Sequence, residues 1–542
     1  MTIMTGGDTV YHALRALNVD HVFGIISIHN IPIYDALKRY GGIQAIDARH
    51  EQAAVHMADA YARTTGKLGV VIASTGPGAA NTVPGLFEAG FASSPVLLIT
   101  GQIETANYGK SKGALHESDN QVTMLRSVTR RTESPRSVRN IVDSIFRAAA
   151  DALQGRPQPV AVEVSIDLQM QQFDVEIPEF ALAPPIPPDD RAIQKAVSLL
   201  SDSDKRVILA GGGVHSAGAH QALQTFAEML EAPVFTSVNG RGAIAENHKL
   251  SAGVMVGYPF SLGPVQKVFQ QAEVVLAVGT RFQAGATLNW RMEIPGKLIH
   301  MDIDPGVIGR NYRPEVAITG DVREGLTTLT NAINAKRNLT RFNTKVRKAR
   351  DRQHQEIRER VGPDQERILD GLWELLPEDS TIVRDTTVPA YTWGHLLPVL
   401  KPNSYMGPTS AAIGPGLPMA IGAALGTGKK TVLLQGDGGF MFHIGELATA
   451  AQYQLPIIIC VFNDGGYGIL RTVQNFRYEG RTTNVDLHTP DFVTVAKGMG
   501  VPAEKVTSSK KFKSAFARAL KAKGPVLLDI DMTGFVPYRF FD

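Results

Sequence analysis

The sequence predicts an α/β protein of three doubly wound parallel-sheet domains, and three features predict it. Short apolar runs alternate with helical patterns along the whole chain, as βαβ units require. Expected strands include Leu68–Ala73, Val96–Thr100, Val207–Leu209, Val274–Val278 and Val526–Ile530. At 542 residues the chain exceeds what one hydrophobic core fills. Two joints divide it: the proline-rich stretch Ala183–Asp190, which favours an extended linker, and the charged stretch Lys345–Arg360, expected as an exposed helix. The resulting pieces are 1–182, 190–340 and 360–542.

Bulk composition narrows the function classes. Hydrophobic residues make up 44% and charged residues 20%, as in ordinary globular proteins. A net charge of +3 gives no electrostatic reason to expect nucleic acid or an anionic membrane as partner. The single cysteine, Cys460, lies in the apolar run Ile457–Phe462, which suits a buried thiol and rules out an internal disulfide. No apolar stretch reaches the ~20 residues of a membrane span, and no signal pattern opens the chain, so a cytoplasmic enzyme is expected.

The third piece carries the most specific pattern. A strand, Thr431–Gln435, runs into Gly436-Asp437-Gly438-Gly439; a helix is expected over His443–Gln454; a second strand, Pro456–Phe462, ends at Asn463-Asp464-Gly465-Gly466. One βαβ unit places both turns at the carboxyl ends of neighbouring parallel strands, where open α/β sheets bind ligands. Asp437 and Asp464 would then meet and, with a loop carbonyl, offer hard oxygen ligands suited to Mg²⁺. The glycines let backbone N–H groups approach a phosphate.

In the first piece a strand over Gly42–Ala48 leads into Arg49-His50-Glu51-Gln52-Ala53, which opens a helix running to about Thr65. A first-turn glutamate can serve the helix dipole alone. Beyond the strand ending at Ala73, Ser74-Thr75-Gly76-Pro77-Gly78 forms a glycine turn that permits close approach of a ligand.

Together these segments resemble the thiamine-diphosphate enzymes, in particular the acetolactate synthase-like group with its benzoylformate decarboxylase, benzaldehyde lyase and oxalyl-CoA decarboxylase relatives. The resemblance implies that Asp437, Asp464 and the Gly466 carbonyl hold Mg²⁺, while Gly436, Gly438, Gly439 and Thr387 surround the diphosphate. Asp464 stands where many relatives have Asn, which adds a negative charge to the ligand set. Thr409–Pro418 resembles the segment in which Ile413 wedges the folded cofactor and Ala411 offers its carbonyl to the 4′-amino group. Gly76 would lie beside the pyrimidine, and Tyr467 and Leu470 would line the pocket. Glu51 would share a proton with the aminopyrimidine, generating the ylide that attacks a carbonyl carbon and leads to an enamine. Members of the group are dimers or tetramers with active sites between subunits.

The substrate is less constrained. Ile166 stands at the acceptor-site lysine of acetolactate synthases, Val473 near their tryptophan, and His116 at a glutamine. His29 matches a substrate-facing histidine of benzaldehyde lyase, and His29 and His116 can relay protons near neutrality. The expectation is a carbon–carbon lyase, carboligase or decarboxylase acting on a 2-oxo acid or 2-hydroxy ketone, with acetolactate synthase proper or a cofactor-binding protein without turnover as alternatives. Gly279-Thr280-Arg281-Phe282 resembles part of a flavin (FAD) site, with a vestigial turn as the competing reading. A dehydrogenase is disfavoured because Gly211-Gly212-Gly213 lacks the full dinucleotide fingerprint.

Overall fold

The structure is a computed structural model, and it describes residues 2–256, 262–333, 340–536 and 538. Three six-stranded sheets are present, every pairing within them parallel. In spatial order the first sheet is Gln44–Asp47, His21–Gly24, Gly69–Ala73, Val96–Gln102, Val160–Ser165 and Arg131–Glu133. The central sheet is Ser251–Val254, Val234–Thr236, Arg206–Ala210, Val274–Val278, Lys297–Asp302 and Val316–Thr319. The third is Tyr405–Met406, Thr381–Arg384, Thr431–Gly436, Ile457–Asn463, Val526–Asp531 and Ala503–Val506.

All three sheets reverse their winding at the same place. In each, the first strand of the order in which the chain lays them down pairs with a later strand on its other side: His21–Gly24 with Gly69–Ala73, Arg206–Ala210 with Val274–Val278, and Thr381–Arg384 with Thr431–Gly436. Connections diverge there and leave a crevice above the strand ends. Each crevice is bordered by glycine-bearing turns: Ser74–Gly76, Gly211–Gly213 with Gly279, and Gly436–Gly439.

Several elements depart from expectation. The helix expected over His443–Gln454 is broken into Asp437–Phe440, a 3₁₀ turn Met441–His443, and Glu446–Gln452. Helical geometry therefore starts at Asp437 itself, directly off the strand, and the 3₁₀ turn and Gly445 interrupt its continuation. The charged stretch Lys345–Arg360 is helical but only half exposed. It belongs to Thr340–Leu375, which buries Val346, Gln353, Ile357 and Val361 and breaks at Gly362, φ 78°. Residues 334–339, where the central piece was expected to end, lie outside the described residues. A two-stranded antiparallel ribbon, Thr2–Thr5 with Gln172–Val175, was not anticipated.

The first and third sheet units share one core through helices Glu51–Thr65 and Gly416–Thr427. Ala53, Ala54, Met57, Ala58 and Tyr61 pack among Leu417, Ala420, Ile421 and Ala424. The helices approach closely because a side chain at Gly422 would strike the Met57 carbonyl, and one at Gly426 would meet Thr64 and Thr65. Gly422→Ala is therefore expected to destabilise the protein by roughly 3 kcal/mol, the upper part of the overpacking range. A lowered midpoint in differential scanning calorimetry checks this.

Candidate active site

The third sheet brings the acid pair together. Parallel pairing sets Gly436 beside Phe462, so the next residues of both strands leave the sheet on the same edge. Asp437 is 1% exposed, and its Oδ2 accepts from the Gly466 N–H at 2.7 Å. Asp464 follows, with Oδ1 buried and without a hydrogen-bond partner. Burial, then the Asp437 charge, pushes the Asp464 carboxyl up to about 7; burial likewise raises Asp437. The nearest cation, Arg471, stands 3.9 Å from Asp464 and is engaged by Asp486 at 2.8 Å. Two acids destabilised by burial, Asp464 also by the charge of Asp437 and with an orphaned oxygen, fit a divalent cation with hard oxygen ligands.

Glycine is required around this pair. A Cβ at Gly438 would lie 2.7 Å from the Tyr467 ring and 3.2 Å from the Gly466 carbonyl, and one at Gly436 would lie 3.1 Å from Thr387 Oγ1. Gly466 adopts φ 148° and presses on the Val485 carbonyl. Thr387, Gly436, Asp437, Gly438, Asp464, Gly466 and Tyr467 therefore form one cluster. Leu470 is half exposed on helix Gly468–Arg477, which buries no side chain.

The neighbouring loop is held by two residues whose part was not anticipated. Buried Asp385 accepts from Gly416 N at 2.9 Å, Gly414 N at 3.1 Å and Gln435 Nε2 at 2.7 Å. Thr386 Oγ1 donates to the carbonyls of Ala412 at 3.0 Å and Ala411 at 3.3 Å. Ala411 sits at φ 65°, uncommon for a residue with a Cβ. Ile413 packs against Gly439, where a Cβ would come within 3.2 Å of its Cγ1.

A second cluster lies at the first sheet's crevice. Glu51 is the first residue of its helix, capped by His50, and its carboxylate accepts from Asn81 at 3.0 Å. Gly78 makes room for it, since a Cβ there would lie 3.3 Å from Glu51 Oε1. Gly76, φ 56°, donates its N–H to Gln121 at 2.8 Å and lies under the His116 carbonyl. The His29 and His116 rings are 5.4 Å apart, with His116 at φ 58°. Burial, then the His116 charge, lowers the pKa of His29, whose Nδ1 is without a partner. Ser74 joins them, 3.4 Å from His116 Nδ1 and 2.8 Å from Ser27 Oγ. Beneath lies a buried network of Thr75, Gln102, Gln121 and Glu163 that sequence reasoning missed. His56 is buried and pushed down to about 3, so it stays neutral beside His443.

Among the described residues, no hydrogen bond or ion pair joins Glu51 to the Asp437 cluster. The two regions meet through Arg49, whose N–H donates to Glu446 at 2.8 Å, and through the rings of His50 and His443, 6.1 Å apart.

Comparison with known proteins agrees with this geometry. Three profiles of the thiamine pyrophosphate enzymes match in order: the N-terminal TPP binding domain at residues 4–124, the central domain at 193–329 and the C-terminal TPP binding domain at 387–530. The chain belongs to the thiamine pyrophosphate enzyme family. Similar relatives include a probable acetolactate synthase large subunit of Methanocaldococcus jannaschii, 33% identical over 97% of this chain and 92% of that protein. The acetolactate synthase large subunit of Corynebacterium glutamicum is 32% identical over 97% of this chain and 86% of its own length. The isozyme 3 large subunit of Escherichia coli is 30% identical over 98% and 95%.

In this thiamine pyrophosphate enzyme the central sheet's crevice opens into a cavity of about 940 Å³. Gly212, Gly279, Arg281 and Asp302 line it, and it extends to Thr409–Ala411. Burial pushes Asp302 up to about 6. Among the described residues no helix is long and apolar enough to cross a membrane.

The acid pair sets a pH dependence. The folded pKa of Asp464, about 7, lies above the ordinary carboxylate value of 3.8, so ionisation opposes folding. Without a divalent cation, stability is full below pH ~4 in respect of this group and falls as pH rises towards about 7. Mg²⁺ should reverse the loss, binding about tenfold more weakly per pH unit below 7. Thermal melts at pH 5 and pH 8, with and without Mg²⁺, check both signs.

Proposed function

We propose that this enzyme uses thiamine diphosphate and Mg²⁺ to break or make a carbon–carbon bond next to a carbonyl, on 2-oxo acids or 2-hydroxy ketones. The observation that carries the reading is the acid pair, Asp437 buried and Asp464 half-buried with an orphaned Oδ1, beside a turn where a Cβ at Gly438 would strike the Tyr467 ring. Asp437, Asp464 and the Gly466 carbonyl would hold the metal, and Gly436, Gly438, Gly439 and Thr387 would receive the diphosphate. The cofactor, when bound, supplies an electron sink at the reacting carbon. Glu51 holds a proton at the ring nitrogen of the aminopyrimidine, with Gly76 alongside. Ala411 offers its carbonyl to the exocyclic amino group, and Ile413 supports the folded cofactor. Tyr467 and Leu470 close the pocket. His29 and His116 exchange a proton with the substrate oxygen; burial lowers the pKa of His29.

Two copies of the chain complete each site in this reading. Exposed apolar side chains flank both halves: Ile26, Ile28 and Leu115 by the histidines, and Met441, Phe442 and Leu470 by the acid pair. In this reading the chain works as a homodimer or homotetramer, in the cytoplasm. Gly279, Thr280 and Arg281, the turn that resembles part of a flavin site, line the central cavity; flavin absorbance in purified protein would assign it to FAD, and its lack to a vestigial turn.

Acetolactate synthase proper is the second reading, favoured by the relatives' names across nearly the whole chain. Ile166 weighs against it, because that position carries no cation for an anionic acceptor. A binding protein without turnover would have no use for Glu51 beside Asn81 together with the acid pair.

Glu51→Gln should lower turnover by about 10²–10⁴-fold while leaving Mg²⁺–thiamine diphosphate affinity within a few-fold. A panel of 2-oxo acids and 2-hydroxy ketones, scored for CO₂ or aldehyde release, measures it. Wild-type turnover in the variant would overturn the assignment.

A further inference from the structure

Glu88 lies on helix Pro77–Ala92 of the first sheet unit and is fully buried. Its carboxylate accepts from the N–H groups of Thr409 at 2.5 Å and Ser410 at 3.1 Å, and from the Ser410 hydroxyl. Among the described residues, every hydrogen bond of this carboxylate goes to that loop and none to its own domain. Arg63 adds a second tie, donating to the Gly407 carbonyl at 3.1 Å while 3.6 Å from the buried carboxylate of Asp59.

The held loop continues into Ala411, in the left-handed region at φ 65°, and its other end is fixed by Asp385 through Gly414 and Gly416. A non-glycine residue persists in that conformation only where its surroundings over-determine it. Asp385 supplies the restraint from the loop's own domain, and Glu88 supplies it from the other. The helix of Glu88 also carries Asn81, the partner of Glu51, seven positions earlier (88 − 81), or about two helical turns.

We propose that Glu88 is a positioning residue that locks the Thr409–Ala411 loop, and hence the Ala411 carbonyl, in the conformation that receives the cofactor's aminopyrimidine. The proposal rests on the thiamine diphosphate reading above. A carboxylate that satisfies three donors of one loop orients it, and its removal leaves buried donors unpaired.

Calorimetric titration of Mg²⁺–thiamine diphosphate into wild type, Glu88→Gln, Glu88→Ala and Ser410→Ala tests this. Gln keeps the volume but turns an amide donor towards N–H donors. Its Kd is expected to rise about tenfold, that of Ala about a hundredfold and that of Ser410→Ala about threefold. The metal-free, cofactor-free Gln variant should stay folded, with a lowered melting temperature from the buried donors left unpaired. The apparent cofactor KM should rise more than kcat falls, and the near-ultraviolet circular dichroism of the bound aminopyrimidine should change. If Glu88→Ala does not fold, Gln and Ser410→Ala decide. Wild-type affinity and an unchanged spectrum in the Gln and Ser410→Ala variants overturn the proposal, as does a loss confined to melting temperature. Wild type that fails to bind the cofactor overturns the underlying reading as well; normal binding by wild type and variants alike removes only the role of Glu88.

Discussion

Parallel pairing of Thr431–Gly436 with Ile457–Asn463 brings the buried carboxylate of Asp437 and the half-buried one of Asp464 together at one sheet edge. Among the described residues the one cation paired with either is Arg471, 3.9 Å from Asp464 and shared with Asp486. Such an arrangement is unfavourable without a cation, and the surrounding glycines prevent side chains from filling the space where a phosphate would approach. The rest of the site follows from this constraint: Thr387, Tyr467 and the Gly466 carbonyl are the groups that the same two turns bring alongside.

The fold repeats one device three times. Each sheet changes winding direction between two adjacent strands, and each crevice is bordered by glycine turns. In the first sheet that crevice gathers His29, Ser74 and Gly76 near Glu51; in the third it gathers the acid pair; in the central one it opens a cavity reaching Thr409–Ala411. The close approach of helices Glu51–Thr65 and Gly416–Thr427 makes the outer two units one body, so that Glu88 can reach a loop 321 positions away.

Local patterns were legible where chemistry and structure coincide over a few residues. The start of the helix at Glu51 and its end at Thr65 were readable because a polar cap precedes an alanine-rich run and Gly66 follows. The strand–glycine–acid turns were readable for the same reason. The helix beyond Asp437 was misjudged because its apolar spacing is continuous while Gly445 and the 3₁₀ turn interrupt the backbone. Lys345–Arg360 reads as an exposed helix from its sequence because its buried positions, Val346, Gln353 and Ile357, are few and widely spaced. Glu88 and the Gln121–Glu163 network give no local signal, since their partners lie tens to hundreds of residues away and only tertiary packing reveals them; Asp385 is legible as part of a strand-end turn, but its hold on Gly414 and Gly416 is not.

The central claim, that the acid pair is a divalent-cation site serving a diphosphate, is tested most directly by Mn²⁺ titration followed by electron paramagnetic resonance. Wild type should immobilise about one Mn²⁺ per chain, with affinity raised by thiamine diphosphate, and Asp437→Asn should lose that synergy. Equal Mn²⁺ binding in the variant, or none in wild type with thiamine diphosphate present, would contradict the account.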